Sequence, residues 1–348
     1  MLLIDGHLDL AYNALTGNRN LSQSIEEIRR KEAGKSLGTV SFPEMRKGEV
    51  GVCLATVFAR VAAGRGSWSG YDSPEIAYAM AQGQLSYYRI LELQGQVRLI
   101  KDWETLSGHV GEWQQPHREG LPLGFILSME GADPIINADQ LESWRKDGVR
   151  VVSLSHYGVG RYAHGTGTEG GLTPAGCRLL EEMDSEGMIL DVSHLSEESF
   201  WEALDIFAGP VIASHNNCRA LVPGDRQFSD DQIRALIRRN AVIGVVLDAW
   251  MLYPGWVRGK TSNTVVSLEA VADQIDHICQ LAGNTGHAAI GSDLDGGFGR
   301  EQCPHDLDTI ADLQKVPSLL RKREYTEEDI RCIMHRNWLR LFRTAWSE

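Results

Sequence analysis

Histidine and acidic side chains recur in this sequence at one kind of position, directly after a short apolar run. His7 and Asp9, which come after the run LLID at 2–5, are the first example. In an extended chain, residues i and i+2 point to the same side and can reach one metal ion, whereas on a helix they would diverge by about 200°. Taken alone, the two residues could also be a capping acid and a hydrogen-bonded histidine. A metal site is therefore a hypothesis that depends on the residue types found after the other apolar runs.

After six of the eight apolar runs, a histidine or an acid is selected as a candidate for the metal site. Besides His7 and Asp9, these residues are Glu130, His156, His194, His215, Asp293 and Asp295. Imidazoles mixed with carboxylates suit zinc better than calcium or magnesium, although iron, manganese or cobalt would also fit. One tetrahedral ion that keeps a water position cannot use so many ligands, but two ions sharing a carboxylate can. A hydroxide bridging two such ions could attack a carbonyl or phosphoryl centre.

The apolar runs indicate how these side chains would be brought together. They are short, rich in Val, Ile and Leu, and separated by long amphipathic segments, which favours parallel strands joined by helices. In order they occupy 2–5, 50–58, 124–129, 149–155, 188–193, 210–214, 241–247 and 287–292. Eight strands alternating with helices predict a (β/α)8 TIM barrel, whose strand carboxyl ends converge on one mouth. Acids clustered in that mouth would need a cation to be tolerated.

Helix signals fill the spaces between the predicted strands. N-caps are predicted at Thr173, Ser196, Ser229 and Thr326. A charged helix is predicted over 25–35, a helix carrying aromatic residues over 67–93, and a long helix at the end of the chain. No linker, repeat or low-complexity tract divides the sequence, so we predict a single (β/α)8 barrel domain over 1–348.

The composition disfavours several classes of partner. A chain with 43% hydrophobic and 23% charged residues can bury a substantial core. Its formal net charge of -13 argues against nucleic acid or an anionic membrane as a partner, because both repel an acidic surface. The six cysteines form no CxxC pair, which is typical of unpaired thiols in a reducing compartment. No membrane span or signal-peptide pattern is found, so we expect a cytoplasmic protein that binds a small molecule.

Seven ordered blocks resemble the membrane dipeptidase (renal dipeptidase) family, peptidase family M19, within the amidohydrolase superfamily of metal-dependent barrels. The blocks are DGHLDL at 5–10, SMEGAD at 128–133, LSH at 154–156, GLTPAGCRLLEEMDSEGMILDVSHLS at 171–196, ASHNNCRAL at 213–221, DQIDHICQLAGNTGHAAIGSDLDGG at 273–297 and YTEEDIRCIMHRNWLRLF at 325–342. The resemblance covers nearly the whole chain. It implies a barrel of the metal-dependent hydrolase type with two Zn2+ ions, and it leaves a homodimer open because similar proteins often dimerise.

The resemblance also implies how the metal ligands are divided. His7 and Asp9 would hold the more buried ion, and Glu130 would bridge it to the second ion. His194 and His215 would complete the second ion. The family uses a glutamate as the bridge, and no lysine here follows a strand from which a carboxylated lysine could serve instead.

Three further residues acquire roles from the resemblance. His156 would assist the tetrahedral oxyanion, Arg226 would bind the terminal carboxylate of the substrate, and Asp293 would carry a proton from the bridging water to the leaving amine. Asp295, two residues later in GSDLDG, is a second candidate for the proton carrier. A strand-end imidazole and a solvated loop arginine are the alternative interpretations of His156 and Arg226.

The match is weakest in the residues that would contact substrate. At 157–164 the family's asparagine-containing stretch is replaced, which indicates altered specificity. The substituted residues are Tyr157, Arg161, Tyr162 and His164, and Gln227 stands where the family has asparagine after its arginine. Arg161 would either add a carboxylate contact or be a solvated loop charge. Trp250 and Tyr253 would either wall the pocket or pack elsewhere.

The resemblance therefore implies a zinc-dependent dipeptidase acting on small dipeptides, with tolerance of a C-terminal D-residue. An amidohydrolase acting on another carboxylate-bearing amide, a lactone or a β-lactam is the alternative of the same chemistry. A noncatalytic, metal-containing binding barrel is the alternative of a different class. The full set of ligands together with Asp293 favours catalysis, because a barrel retained only for binding should have lost some of them.

Overall fold

The computed structural model describes residues 1–32, 37–62, 70–116 and 120–346, and in this part of the chain nine parallel strands form one sheet. The strands are β1 (Leu3–Leu8), β2 (Val50–Phe58), β3 (Val97–Leu99), β4 (Leu123–Glu130), β5 (Val149–Ser153), β6 (Ile189–Asp191), β7 (Val211–Ala213), β8 (Val242–Val245) and β9 (Ala288–Ile290). β1 pairs with both β2 and β9, so the sheet closes. The predicted (β/α)8 barrel is confirmed.

Eight of these strands form the barrel, and β3 stands beside it. β2 pairs directly with β4, while β3 pairs only with the first residues of β4, Leu123 to Phe125. β3 was not predicted from the sequence because it has three residues and the charged Arg98 interrupts its apolar pattern. The other eight strands coincide with the predicted apolar runs to within a few residues.

Fourteen α-helices lie in the described residues. They are α1 (Leu10–Leu15), α2 (Ile25–Glu32), α3 (Phe42–Lys47), α4 (Pro74–Leu93), α5 (Trp103–Trp113), α6 (Leu141–Asp147), α7 (Pro174–Ser185), α8 (Glu197–Ile206), α9 (Asp230–Arg238), α10 (Ala249–Leu252), α11 (Glu269–Ala282), α12 (Val316–Lys322), α13 (Glu327–Arg331) and α14 (Asn337–Trp346). Short 3-10 turns lie at Ala138–Gln140, Asn263–Val265, Arg300–Gln302 and Ile310–Lys315. No described helix is both long and apolar enough to cross a membrane.

The predicted helix starts are confirmed. The side chains of Thr173, Ser196 and Thr326 each accept a hydrogen bond from a main-chain N–H in the first turn, and Ser229 forms its capping box with Gln232. These caps satisfy N–H groups that would otherwise lack a partner at the helix ends.

Two predicted helix extents are corrected, and a third is only partly tested. α2 is described over Ile25–Glu32, and the last predicted residues of this helix, 33–35, lie outside the described residues. α4 begins at Pro74, later than predicted, because Ser73 caps its first turn; 67–69 are also outside the described residues. The last helix is interrupted by a π-helical turn at Cys332–Arg336.

The buried apolar residues of the strands and helices form one continuous core, and the six cysteines are free thiols, as predicted. Within it, three glycines lie against a single carbonyl group. A Cβ atom added at Gly6, Gly244 or Gly291 would overlap the carbonyl oxygen of Ser214, the residue before His215. β1, β8 and β9 therefore approach β7 more closely than any side chain would allow.

Candidate active site

The carboxyl ends of the barrel strands bring the predicted residues together. His7 lies within β1 rather than after it, because β1 continues to Leu8, and Asp9 comes next as the N-cap of α1. An irregular register places Asp5 opposite Cys53 but Leu8 opposite Ala55, so β1 has one extra residue here. This irregularity presents His7 to the mouth of the barrel.

One carboxylate oxygen is the centre of the cluster. Oε1 of Glu130, the last residue of β4, lies 3.2 Å from His194 Nε2 and 3.3 Å from His215 Nε2. His7 Nε2 is 3.8 Å from the same oxygen, and His156 Nε2 is 3.9 Å from it. His7 Nε2 is also 3.8 Å from one oxygen each of Asp9 and Asp293. We call His7, Asp9, Glu130, His194 and His215 the donor layer; all five are buried.

Two further acids, Asp5 and Asp191, lie in the strands beside the donor layer and join neighbouring strands by hydrogen bonds. Asp191 accepts hydrogen bonds from the Ser193 N–H at 3.0 Å, the Ser214 N–H at 3.0 Å and the Ser214 hydroxyl at 2.5 Å. Asp5 likewise accepts from the Ser292 N–H at 2.7 Å and from its hydroxyl at 2.5 Å. We call Asp5, Asp191, Ser214 and Ser292 the supporting layer. These acids were not predicted from the sequence, where their only signal was an acid ending the apolar runs LLID and MILD.

The supporting layer fixes how His215 presents its ring. The Ser214 hydroxyl donates to Asp191, so it accepts from His215 Nδ1, which lies 2.8 Å away. The Nδ1 atom therefore carries the proton, and Nε2 has a free lone pair directed into the cluster. His215 is thus held in the tautomer that a metal ion requires.

His194 is oriented in the same way by different partners. Arg226 Nη2, which can only donate, lies 3.2 Å from His194 Nε2 and 2.9 Å from the carbonyl of His215. Nε2 of His194 is therefore an acceptor, and the protonated Nδ1 faces the Thr166 hydroxyl at 3.2 Å. His194 also has a left-handed backbone, with φ of 67°, as do Asp293 at 56° and Asp295 at 66°. Such strained conformations concentrate at functional sites.

Burial and the neighbouring charges keep these two histidines neutral. Burial lowers the pKa of both His194 and His215 well below the usual range, and the Arg226 guanidinium lowers each further. Burial also opposes the charged form of His7, but the carboxylates of Glu130, Asp9 and Asp293 outweigh it and raise the pKa of His7 to about 10. Neutral imidazoles beside excess carboxylate form the donor set that a divalent ion takes.

Some atoms of the donor layer lack hydrogen-bond partners, as the ligands of a metal ion would. His7 Nε2 and Asp9 Oδ1 are buried and have no hydrogen-bond partner among the described residues. The Nε2 atoms of His194 and His215, both acceptors, are 3.0 Å apart, and that of His194 also accepts from Arg226 Nη2 at 3.2 Å. Two lone pairs at that distance repel each other unless a positive charge lies between or beside them. The donor layer, together with His156 and Asp293, contains three groups of residues whose ligand atoms lie within 4.8 Å of one another.

Asp293 and Asp295 have different surroundings, although they are only two residues apart in the sequence. Asp293 faces the cluster through the contact with His7, whereas Asp295 points away. Its carboxylate accepts from the main-chain N–H groups of Thr39 and Val40 and pairs with Arg19 at 3.0 Å. Asp295 therefore anchors the segment at 39–40, and Asp293 is the acid available to the site.

A cavity of about 510 Å3 opens above the cluster. It is lined by Asp9, Tyr12, Phe58, Arg60, Glu130, His156, Tyr157, Asp248, Trp250, Trp256, Arg258, Gly296, Gly297 and Gln302. Trp250 thus walls the cavity, while Tyr253 is outside its lining and 38% exposed. Of the substituted stretch at 157–164, Tyr157 reaches the cavity.

Both predictions for Arg161 are wrong. Its guanidinium donates to the carbonyls of Ile135 and Ile136, each at 3.0 Å, and it braces the loop after β4. Tyr162 donates to the same Ile135 carbonyl. Gln227 is also outside the cavity lining; it is buried and donates to the carbonyl of Met251 at 2.9 Å. These contacts support the loops of the site without facing substrate.

Two charged residues of the cavity were not predicted from the sequence. Arg60 comes two residues after β2, and Asp248 lies three residues after β8. Both follow a strand, as the candidate metal ligands do. Arg60 could have been found if the residues after the apolar runs had been searched for cations as well as for histidines and acids.

Comparison with known proteins agrees with this geometry. Dipeptidase aclJ of Aspergillus oryzae is 26% identical over 330 residues, which is 92% of this chain and 72% of that protein. An uncharacterised dipeptidase of Schizosaccharomyces pombe is 27% identical and covers 99% of this chain and 80% of its own length. Both therefore resemble this chain along most of its length.

Solved structures show the same fold. The metallopeptidase called dipeptidase AC superposes with a TM-score of 0.83 at 24% identity, over 100% of this chain and 99% of that one. A metallopeptidase of Rhodobacter sphaeroides superposes with a TM-score of 0.82 at 22% identity, over 99% of each chain.

The family itself is given by the sequence match. The model of the membrane dipeptidase family matches residues 1–347, nearly the full length of the chain. Together with the donor layer, this match makes the protein a hydrolase of the metallopeptidase class. The chain belongs to the membrane dipeptidase family, peptidase family M19.

Proposed function

We propose that this protein is a dipeptidase that hydrolyses the amide bond of small dipeptides with the help of two divalent metal ions, zinc by preference. The observation that carries the proposal is the arrangement of five buried donor groups around Glu130 Oε1 at the base of a 510 Å3 cavity. His7 and Asp9 would hold one ion, His194 and His215 the other, and Glu130 would bridge them. When bound, the ions would supply a hydroxide nucleophile at neutral pH and polarise the scissile carbonyl.

Arg226 is the residue that would hold the free carboxylate of the dipeptide. Its side chain is buried, and Nη1 has no hydrogen-bond partner among the described residues. A guanidinium matches the planar carboxylate and fixes the substrate in one orientation. Since Arg226 already contacts both second-ion histidines, a carboxylate on it lies next to the reacting bond.

His156 would stabilise the oxyanion, and Asp293 would transfer the proton. Burial lowers the pKa of His156 well below its usual range, so the ring is neutral and can donate one N–H to the developing oxyanion. Burial raises the pKa of Asp293 well above the usual range, which suits a carboxyl group that takes a proton from the attacking water and returns it to the leaving amine.

Three finer features belong to the same proposal. The structure of the Rhodobacter sphaeroides metallopeptidase contains a phosphinate mimic of the dipeptide L-Ala-D-Ala, which supports tolerance of a C-terminal D-residue here. Six free thiols support a cytoplasmic location. The single domain over 1–348 and the homodimer stay predictions.

Metal analysis followed by a dipeptide screen tests the proposal. The purified chain, reconstituted with Zn2+, should bind two ions per chain and hydrolyse L-Xaa-L-Xaa and L-Xaa-D-Xaa dipeptides. Fewer than about one ion per chain would refute the two-metal centre. Full metal occupancy with no hydrolysis of any dipeptide would refute the substrate class and direct the screen to other amides, lactones and β-lactams.

A further inference from the structure

Arg60 is a buried cation in the wall of the substrate cavity. It follows β2 by two residues and is 5% exposed, and it lines the cavity together with Phe58, His156 and Tyr157. Neither the metal ligands nor the proposed carboxylate contact of Arg226 uses it. Its position nevertheless gives it access to any molecule that occupies the cavity.

The guanidinium of Arg60 lacks an anionic partner. Its Nη1 atom is buried and has no hydrogen bond in the described part of the chain, and no carboxylate among those residues lies within ion-pair distance of it. The acid that most strongly favours its charged form is Asp133, whose two oxygens are already occupied. They accept from the Val61 N–H at 2.7 Å and from the Arg161 N–H at 3.1 Å.

An unpaired arginine at this place is costly for the free protein. Arginine stays protonated even when burial lowers its pKa, so the cost cannot be relieved by losing the proton. Two divalent ions bound nearby would add repulsion. Gly158, on the facing loop, lies beside Nη2, since a Cβ atom added there would be in van der Waals contact with it at 3.5 Å. The arrangement is therefore completed by an anion that arrives with the ligand.

We propose that Arg60 is a specificity-determining residue that binds a second carboxylate of the substrate, the side chain of an aspartyl or glutamyl residue. This inference rests on the proposed dipeptidase function, in which Arg226 takes the main-chain carboxylate. A side-chain carboxylate is the anion that remains on a dipeptide, and a site built for a charged partner rejects its neutral isostere strongly. The preferred substrates are thus acidic dipeptides.

Matched glutamyl and glutaminyl dipeptides test the inference. The Zn2+-reconstituted enzyme is assayed on Glu-Ala against Gln-Ala and on Ala-Glu against Ala-Gln, the latter pair with both configurations of the second residue. We expect kcat/KM to favour the Glu member of at least one pair by about tenfold to a hundredfold. Arg60→Gln should abolish that preference while leaving kcat/KM for the Gln member unchanged within about threefold.

Several outcomes decide the question separately from the proposed function. Hydrolysis of the Gln members by the wild-type enzyme establishes the dipeptidase activity, and the absence of any Glu preference in that same assay overturns the role of Arg60 without any variant. An equal loss on both members in Arg60→Gln would make Arg60 a structural residue. Arg60→Lys, which keeps the charge, should retain part of the preference. Arg258→Gln is the matched control, because Arg258 lines the same cavity but is exposed and donates to the Gly297 carbonyl at 2.7 Å.

Discussion

The donor layer and the supporting layer are both made of buried polar residues at the ends of the same strands, but they are hydrogen-bonded in opposite ways. In the supporting layer, Asp191 accepts three hydrogen bonds and Asp5 accepts at least two at short distance. In the donor layer, buried atoms of His7 and Asp9 have no partner in the described residues. One layer is complete in the free protein, and the other requires something more.

This difference separates a structural acid from a functional one. A buried carboxylate whose lone pairs are satisfied by main-chain N–H groups holds strands together, and removing it costs stability. A buried polar group of the donor layer that has no partner lowers the stability of the protein until a ligand binds. Such a group is therefore expected only where a ligand must bind. We therefore expect substitutions in the two layers to affect different measurements.

The largest effect is expected in the donor layer. Glu130→Gln keeps the size of the side chain but removes the charge that would be shared by both ions, so kcat should fall by at least about 10³-fold, or about 4 kcal/mol. Metal content per chain should fall as well. The free energy of unfolding of the metal-free variant should lie within about 1 kcal/mol of that of the metal-free wild-type protein. A large loss of stability without metal would show that the two layers do not differ as described.

The supporting layer should give the reverse result. Asp191→Ala leaves two buried main-chain N–H groups and the Ser214 hydroxyl without their acceptor, so the free energy of unfolding should fall by about 3 kcal/mol. Denaturant unfolding of the metal-free proteins measures this loss. Because Asp191 also orients His215 through Ser214, weaker metal binding is expected too. Unchanged stability would contradict the assignment of Asp191 as a structural acid.

The two arginines of the site extend the comparison to the substrate. Arg226→Ala should lower kcat/KM for dipeptides by about 10²-fold, since it removes the partner of the substrate carboxylate. Dipeptide amides, which lack that carboxylate, should lose little. Arg161→Ala is the control: it removes donors to the Ile135 and Ile136 carbonyls and should lower stability without changing the ratio between dipeptide and dipeptide amide. An equal loss on both substrates in Arg226→Ala would reject the carboxylate contact.

The smallest effect concerns Asp248, which lines the cavity yet accepts hydrogen bonds from Gln302 Nε2 and the Trp250 N–H. Burial raises the pKa of Asp248 to about 7, above its ordinary value of 3.8, so between about pH 4 and 7 the folded chain holds a proton that the unfolded chain has lost. Stability from this group therefore falls as the pH rises through that window. Asp248→Asn keeps both acceptor contacts and should make the protein about 1 to 2 kcal/mol more stable at pH 8 than the wild type, with no gain near pH 4. Urea unfolding at the two pH values measures the difference, and a variant with the pH dependence of the wild type would contradict the cause.

The parts of the site that could be predicted are those that do not depend on contacts between residues far apart in the sequence. Glu130, His194 and His215 could be predicted because parallel strands bring their carboxyl ends together whatever the loops do. Asp293 and Asp295 could not be separated from the sequence, since their difference lies in a contact of Asp295 with Thr39, more than 250 positions away in the chain. The barrel was predictable for the same reason as the ligands, whereas β3 was too short to give a pattern.

Arg161 and Arg60 show the limit most directly. Both are arginines in loops that follow a strand, and nothing in their local sequence separates them. Arg161 donates to main-chain carbonyls of another loop, whereas Arg60 lines the cavity and its buried Nη1 has no hydrogen-bond partner in the described residues. Only the packing of the loops distinguishes a brace from a binding residue.

The three glycines that surround the Ser214 carbonyl affect the geometry of the candidate metal site through steric packing alone. Gly6, Gly244 and Gly291 contribute no functional group, yet together they set how far β7 projects into the barrel, and with it the position of His215. The dimensions of the ion site are thus determined partly by positions at which the chain has no side chain at all. Substitution of Gly6, Gly244 or Gly291 should therefore displace His215 and change the geometry of the proposed ion site while every proposed ligand is kept.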